Sequence, residues 1–185
     1  MAPLKGGFKM KLTEHFDSTE FKCNCGANPP MSALLVNRLE EMHKYMGAKA
    51  VIINSGYRCP NCSVKVGGSR TDAHTKAMAA DIMVKKQDGS WYTAEDIAEV
   101  AERIGFGGIG MMNNACHLDT RDSEPYANNH WFGDERDGRN YIETFQRGTV
   151  FPGEAPEEPA PAEPAPQSHV LQVYLDGKII FEKVI

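Results

Sequence analysis

Four residues in two short segments constrain the fold of this chain most, because their side chains form one site only if distant parts of the chain meet. His74 and Asp81 lie seven positions apart, and His117 and Asp119 flank Leu118 farther along. Two neutral imidazoles and a carboxylate are a ligand set of hydrolytic zinc sites, which keep a fourth position open for water. Structural zinc sites are usually closed by four Cys or His ligands. The pattern therefore predicts a zinc hydrolase.

Composition indicates one ordinary globular domain with some additional chain. The 185 residues are 41% hydrophobic and 24% charged, and the net charge is -5. An acidic chain whose Lys and Arg are scattered does not favour nucleic acid as a partner. No apolar run approaches the roughly 20 residues that span a bilayer, so no membrane span is expected. The amino end also lacks an apolar stretch of signal-peptide length, so we expect synthesis in the cytoplasm.

Two amphipathic helices are predicted from apolar residues at three- and four-residue steps. The first runs from Met31 to Met46 and would end at Gly47. The second begins after Thr93, which would cap its amino end, and acidic residues occupy its first turn. Its inner stripe consists of Ile97, Val100, Ala101 and Ile104. Both helices are expected to pack one face on the core.

Three strands are predicted, and two of them carry the candidate site. Residues 48–54 form a β-branched run that leads into a turn-rich loop, and residues 79–84 form a second strand with Asp81. The Gly-rich stretch Gly105–Gly110 is expected to turn the chain. Residues 117–119 would belong to a third strand, in which period-two alternation places His117 and Asp119 on one face.

The composition changes at Pro152, and this change sets the domain boundaries that we predict. Residues 1–150 would form the catalytic domain, and the Pro-, Glu- and Ala-rich residues 151–168 an extended acidic linker. Residues 169–185 contain two β-prone runs around Asp176-Gly177, which predicts a β-hairpin. A lone hairpin is marginally stable, so we expect it to dock on its own domain, on another copy or on a partner such as a virion.

Several motifs occur in an order that resembles the zinc D-alanyl-D-alanine carboxypeptidase family of peptidoglycan peptidases. The similarity extends from about Phe16 to about Trp131. The motifs are Phe21-Lys22-Cys23-Asn24-Cys25-Gly26, Ser55-Gly56-Tyr57-Arg58-Cys59-Pro60, Val66-Gly67-Gly68, His74 with Asp81, and His117-Leu118-Asp119-Thr120-Arg121. Phage endolysin peptidases and the hedgehog signalling domain share this zinc fold. The resemblance implies an α+β fold, with a small, mainly antiparallel sheet packed against helices.

The resemblance also implies roles for individual residues. His74, Asp81 and His117 would ligate Zn2+, and Arg58 would bind the substrate and polarise the scissile carbonyl. A guanidinium suits that role, since it keeps its charge and can stabilise an oxyanion or hold a terminal carboxylate. The reaction would be hydrolysis of an amide without a covalent intermediate.

Three positions depart from the pattern of this family. Asn114 stands where many relatives have an acidic residue three positions before the last His ligand, and it cannot act as a general base. Asp119 either acts as that base or orients His117. Asp72 and Ala77 replace the usual Ser and Gly, and Ala77 would be unfavourable if the backbone there has a positive φ.

Other side chains allow more than one interpretation. Cys23, Cys25, Cys59 and Cys62 could form a second, structural zinc site or a redox or metal sensor, although buried free thiols are the simpler explanation. His130 and Trp131 would line the substrate site, or they are a surface His beside a core Trp.

The leading hypothesis is a zinc peptidase that cleaves peptidoglycan stem peptides or their crosslinks. Because we expect no signal peptide, the protein would reach the cell wall through lysis or on a phage particle. The alternative is a zinc-stabilised binding or virion-assembly module that has lost turnover, which Asn114 favours.

Overall fold

The computed structural model describes residues 9–121, 129–153, 170–175 and 178–184. A 3-10 helix, Ser18–Phe21, is followed by α1 (Ala33–Tyr45), β1 (Ala50–Ser55), α2 (Pro60–Lys65), β2 (Ala79–Lys85), α3 (Ala94–Ile104), β3 (Gly108–Met112), β4 (Ala115–Asp119), β5 (Trp131–Asp134), β6 (Val170–Leu175) and β7 (Lys178–Val184). The chain divides into two compact units, Met1–Glu154 and Ala155–Ile185. The predicted α+β class is confirmed.

The first unit contains a five-stranded sheet with the strand order β1-β2-β4-β3-β5. Three of its pairings are antiparallel, and the pairing of β3 with β5 is parallel. The sheet is therefore mainly antiparallel, as predicted. Antiparallel neighbours can be joined by a short turn, and a two-residue turn connects β3 to β4.

The two faces of the sheet differ in chemistry. One face points into the core that α1 and α3 cover, and its side chains are at most 4% exposed: Ala80, Ile82, Val84, Ile109, Cys116, Leu118 and Phe132. Burying one such aliphatic or aromatic side chain contributes about 1.5–3 kcal/mol. Because successive residues of a strand alternate between faces, Asp81 and His117 point away from this core.

Both predicted helices are present: α3 begins after Thr93 as predicted, whereas α1 begins at Ala33, two residues later than predicted, and ends at Tyr45. Ser32 accepts the backbone N–H of Leu35 at the start of α1, and Thr93 forms a capping box with Asp96 at the start of α3. Gly105 ends α3 in the left-handed conformation, with a φ of 93°. Side-chain caps and a left-handed glycine satisfy the backbone groups that a helix leaves unpaired at its ends.

A buried carboxylate joins the last part of the first unit to α3. Glu99 is fully buried and accepts hydrogen bonds from both the backbone and the hydroxyl of Thr149, and from Arg147. Burial opposes ionisation, but these hydrogen bonds outweigh it and lower the pKa of Glu99 to about 2. Residues 147–149 are thereby held against the helix, beside the buried ring of Phe151.

The strand assignments from sequence need three corrections. The prediction that Gly105–Gly110 turns the chain is wrong beyond Gly107, because β3 begins at Gly108. Glycine disfavours strands in general, but here a Cβ on Gly108 would overlap the Asp119 carboxylate, and one on Gly110 would lie 2.8 Å from Trp131. The helix α2 and the strands β3 and β5 were not predicted, and because β3 comes first, residues 117–119 lie in the fourth strand and not in the third.

In the second unit, β6 pairs antiparallel with β7, with a register shift between Val173 and Tyr174. These are the two strands of the predicted hairpin. The predicted linker and the Asp176-Gly177 turn lie outside the described residues, except for residues 151–153, so the domain boundaries stay predictions. Within the described parts of the chain, no helix is both long and apolar enough to cross a bilayer.

Candidate metal centre

Two strands and one loop bring the three candidate ligands together. Asp81 on β2 pairs directly with His117 on β4, so that their side chains lie on the same face of the sheet. Gly110 on β3 and Gly133 on β5 continue the same row. His74 comes from the loop that precedes β2, and its side chain is only 3% exposed.

The ligand atoms are separated by distances that suit a zinc ion. His74 Nε2 lies 3.1 Å from His117 Nδ1 and 3.2 Å from Asp81 Oδ1, and His117 Nδ1 lies 3.0 Å from Asp81 Oδ1. A tetrahedral ion with N and O ligands at about 2.05 Å places its ligand atoms about 3.3 Å apart. These three side chains therefore fit zinc, with one tetrahedral position left over.

Hydrogen bonds on the outer side of each imidazole fix its tautomer. His74 Nδ1–H donates to the carbonyl of Gly56 at 2.7 Å, and His117 Nε2–H donates to Asp119 Oδ2 at 2.9 Å. In the neutral imidazoles, these hydrogen bonds leave lone pairs on the nitrogens that face each other, as metal ligation requires. Burial alone would lower the pKa of His117, but the carboxylates of Asp119 and Asp81 outweigh it and raise this pKa to about 9.

Asp119 lies behind His117 and not in front of it. Its side chain is fully buried, contacts the outer nitrogen of His117 and accepts hydrogen bonds from the backbone and guanidinium of Arg121. Burial opposes its ionisation, yet the hydrogen bonds from His117 and Arg121 hold its pKa well below its usual range. Of the two roles that the sequence left open, this geometry favours the orientation of His117 over proton transfer.

Arg58 follows the end of β1 and points at the ligands. Its Nε–H donates to Ser55 Oγ at 2.9 Å, while Nη2 lies 2.5 Å from Asp81 Oδ2 and 2.7 Å from His74 Nε2. The loop that carries Arg58 is packed tightly, since a Cβ on Gly56 would lie 2.6 Å from the backbone of Phe21. The guanidinium is thus held beside the candidate metal position.

A cleft of about 760 Å³ opens over these residues. Its lining includes Arg58, His74, Asp81 and His117, and also Met112 and Glu135. A cavity of this size suits a ligand as large as a short peptide.

Glu135 is a candidate functional residue that the sequence did not reveal. It follows β5, and its Oε1 lies 3.1 Å from the position that a Cβ on Gly110 would take. Gly110 is the direct strand neighbour of His117, so the Glu135 carboxylate lies beside that ligand. No described residue donates a hydrogen bond to this carboxylate. The parallel pairing of β3 with β5 brings Glu135 to the cleft, and no local pattern of residues indicates that pairing.

Other predicted site residues lie farther from the ligands. Trp131 covers Gly110 and meets the ring of His117 edge-on, with 6.3 Å between the ring centroids, so it forms a wall beside the ligand. His130 is exposed and packs on Phe132, which faces the core, so the structure gives no support to a substrate role for it. Asn114 is exposed in the turn between β3 and β4.

Ala77 has the positive φ that would make alanine unfavourable, with a value of 57°. It closes the turn after His74, since its backbone N–H donates to the carbonyl of His74 at 3.1 Å. Asp72, which replaces the usual Ser, accepts hydrogen bonds from the hydroxyl of Ser63 and the backbone N–H of Thr75. Its carboxylate therefore has a structural role in this loop.

Replacement of Ala77 with glycine is expected to stabilise the protein by about 0.5–1 kcal/mol. The left-handed conformation costs alanine roughly 1–2 kcal/mol, and the greater backbone freedom of unfolded glycine offsets only part of this gain. Urea unfolding should show a higher midpoint at an unchanged slope. Ala73→Gly, at a position without a positive φ, is the control and should lower the midpoint. Equal destabilisation by both substitutions would contradict the strain at Ala77.

Residues 11–119, more than half of the chain, match the peptidase M15 family. The chain belongs to this family. Peptidases of the M15 family are zinc-dependent, in agreement with the group formed by His74, Asp81 and His117. Family membership supports a peptidase activity, hence a peptide substrate, and confirms the resemblance seen in the motifs. No curated protein matches the chain. The match to the family ends at Asp119, so Trp131 and Glu135 of this M15 peptidase lie beyond the matched residues.

Proposed function

We propose that this M15 peptidase binds zinc through His74, Asp81 and His117 and hydrolyses a peptide bond in peptidoglycan stem peptides or their crosslinks. The observation that carries the proposal is the convergence of three ligand atoms within 3.2 Å, with both imidazole tautomers fixed from outside. When bound, zinc supplies a Lewis acid that acidifies water and polarises a carbonyl. The motifs shared with D-alanyl-D-alanine carboxypeptidases support the choice of substrate.

Arg58 holds the substrate in this proposal. Its guanidinium lies within 2.7 Å of two ligand side chains and lines the open cleft. A positive charge at this position attracts the carbonyl oxygen of the scissile bond or the terminal carboxylate of a stem peptide. It also stabilises the negative charge that develops on the carbonyl oxygen during attack. The hydrogen bond to Ser55 fixes the guanidinium before the substrate arrives.

Glu135 is the general base in this proposal. The four carboxylates that line the cleft are Glu20, Asp72, Asp81 and Glu135. Glu20 accepts the backbone N–H of Asp17, Asp72 is held by Ser63 and Thr75, and Asp81 is a ligand. Glu135 alone among the four is left to accept a proton from the attacking water, from a position beside His117. Asp119, in this proposal, does not transfer a proton but fixes the tautomer of His117.

The location of the activity is part of the proposal. The protein would act on the cell wall after synthesis in the cytoplasm, and would reach the wall through lysis or on a phage particle. The C-terminal pair of strands would attach the peptidase to a particle or to another copy of the chain.

The test is digestion of purified peptidoglycan by the full-length protein, with soluble products identified by mass spectrometry. Chelator-treated protein should release no peptide, and addition of zinc should restore release. A pentapeptide that ends in D-Ala-D-Ala and a crosslinked muropeptide dimer, tested separately, identify the bond that is cut. Absence of products from all three substrates with zinc-loaded protein would overturn the proposal.

A binding or virion-assembly module is the second candidate, and the position of Asn114 favours it. This residue stands where relatives have an acid, and it is exposed in a turn. Such a module would sediment with peptidoglycan, contain zinc and release no product in the same assay.

A further inference from the structure

Four cysteines from two distant segments meet at the edge of the cleft. The Sγ atoms of Cys23, Cys25, Cys59 and Cys62 all lie within 4.8 Å of one another, and none of the four is in a disulfide. We propose that these four sulfurs bind a second, structural zinc ion. This site is separate from the His74, Asp81 and His117 group and does not depend on the proposed peptidase activity.

The sulfur separations support a metal site more than a disulfide. Cys25 Sγ lies 3.7 Å from Cys59 Sγ. A tetrahedral ion with Zn–S bonds of about 2.3 Å places its sulfurs about 3.8 Å apart, whereas a disulfide needs about 2.05 Å. Four Cys ligands leave no position for water, which is the arrangement of structural zinc sites.

The backbone around the sulfurs forms two tight turns. In the first, Gly26 N–H donates to the carbonyl of Cys23 at 2.8 Å, and Gly26 has a φ of 90°. In the second, Cys59 precedes α2 and Cys62 lies in its first turn, three residues along the chain. The backbone N–H of Cys59 also donates to Cys23 Sγ at 3.4 Å, which stabilises a thiolate there. Each turn thus presents two sulfurs to a common centre.

The metal would link the amino-terminal segment to the loop that carries Arg58. Arg58 directly precedes Cys59, and the backbone N–H of Tyr57 donates to the carbonyl of Phe21 at 2.8 Å. Cys23 and Cys62 also line the cleft. The ion would therefore add to the contacts that hold this loop, and with them the position of the Arg58 guanidinium beside the ligands of the first site.

Cobalt substitution of the full-length protein tests the proposal directly. Thiolate ligands give cobalt an intense near-ultraviolet charge-transfer band, which His and Asp ligands do not give. We expect this band in the wild type and in His74→Ala, and its loss in Cys25→Ser and Cys62→Ser. Zinc content should be about two ions per chain in the wild type, and about one in His74→Ala and in each of the two cysteine variants. Cys116→Ala, at a buried cysteine outside the cluster, should keep both ions.

If a cysteine variant fails to fold, the thiol reactivity of the wild type still tests the proposal. Its four clustered thiols should react slowly with a thiol reagent until a strong chelator is added, and then at least about tenfold faster. Absence of the cobalt band from the wild type, or thiol reactivity that is unchanged by the chelator, would overturn the proposal. Loss of peptidase activity would not bear on it, because neither measurement uses a substrate.

Discussion

Replacement of His74 with alanine is expected to abolish measurable peptidase activity, a loss of about 10³-fold or more. His74 Nε2 lies within 3.2 Å of both other ligand atoms, so its removal leaves two ligands for the proposed catalytic ion. A catalytic metal contributes several kcal/mol to transition-state stabilisation, and each 1.4 kcal/mol corresponds to about tenfold in rate. Activity on peptidoglycan and zinc content, measured on the same preparation, check this result.

His43→Ala is the matched control for this substitution. His43 lies on α1, stacks on His15 and does not line the cleft. It should keep wild-type activity and zinc content. An unchanged rate for His74→Ala in a folded protein would show that the three-ligand group is not the catalytic centre.

Glu135→Gln is expected to lower kcat by about 10²- to 10⁴-fold, the usual contribution of a general base. Glutamine keeps the size of the side chain but cannot accept a proton at pH 7. Because Glu135 is not one of the converging ligands, zinc content should not change, and the change in KM should be small. Steady-state kinetics on a soluble muropeptide, together with metal analysis, check both points.

Two further variants show which carboxylate is the base. Glu143→Gln, at an exposed position, is the control and should have wild-type kinetics. Asp119→Asn should weaken zinc binding by about 10- to 100-fold, because it replaces the carboxylate that accepts the His117 Nε2–H with a neutral amide, which can also present a donor to that nitrogen. If Asp119→Asn instead kept its zinc and lost kcat while Glu135→Gln was unaffected, Asp119 would be the base.

Local patterns in the sequence were sufficient for much of the fold. The 3.6-residue period indicates both α1 and α3, and Thr93 marks the start of α3. Period-two alternation correctly placed His117 and Asp119 on one face of a strand. These features depend on neighbours along the chain, which the sequence shows directly.

Features that depend on pairing between distant segments could not be predicted in the same way. Gly108 and Gly110 indicate a turn when they are considered alone, and they belong to a strand because Asp119 and Trp131 occupy the space beside them. The site role of Glu135 depends on the parallel pairing of β5 with β3. The convergence of Cys23 and Cys59 likewise depends on the approach of two turns that are 36 residues apart.

Gly110 determines how far this active site can be redesigned. A single methyl group at that position would meet the ring of Trp131 at 2.8 Å and Glu135 Oε1 at 3.1 Å. One substitution would therefore displace the aromatic wall and also press on the proposed base. Substitutions that change the substrate preference should consequently fall in the loop around Gly67, which is exposed and lines the cleft. The strand β3, which carries Gly110, should stay unchanged.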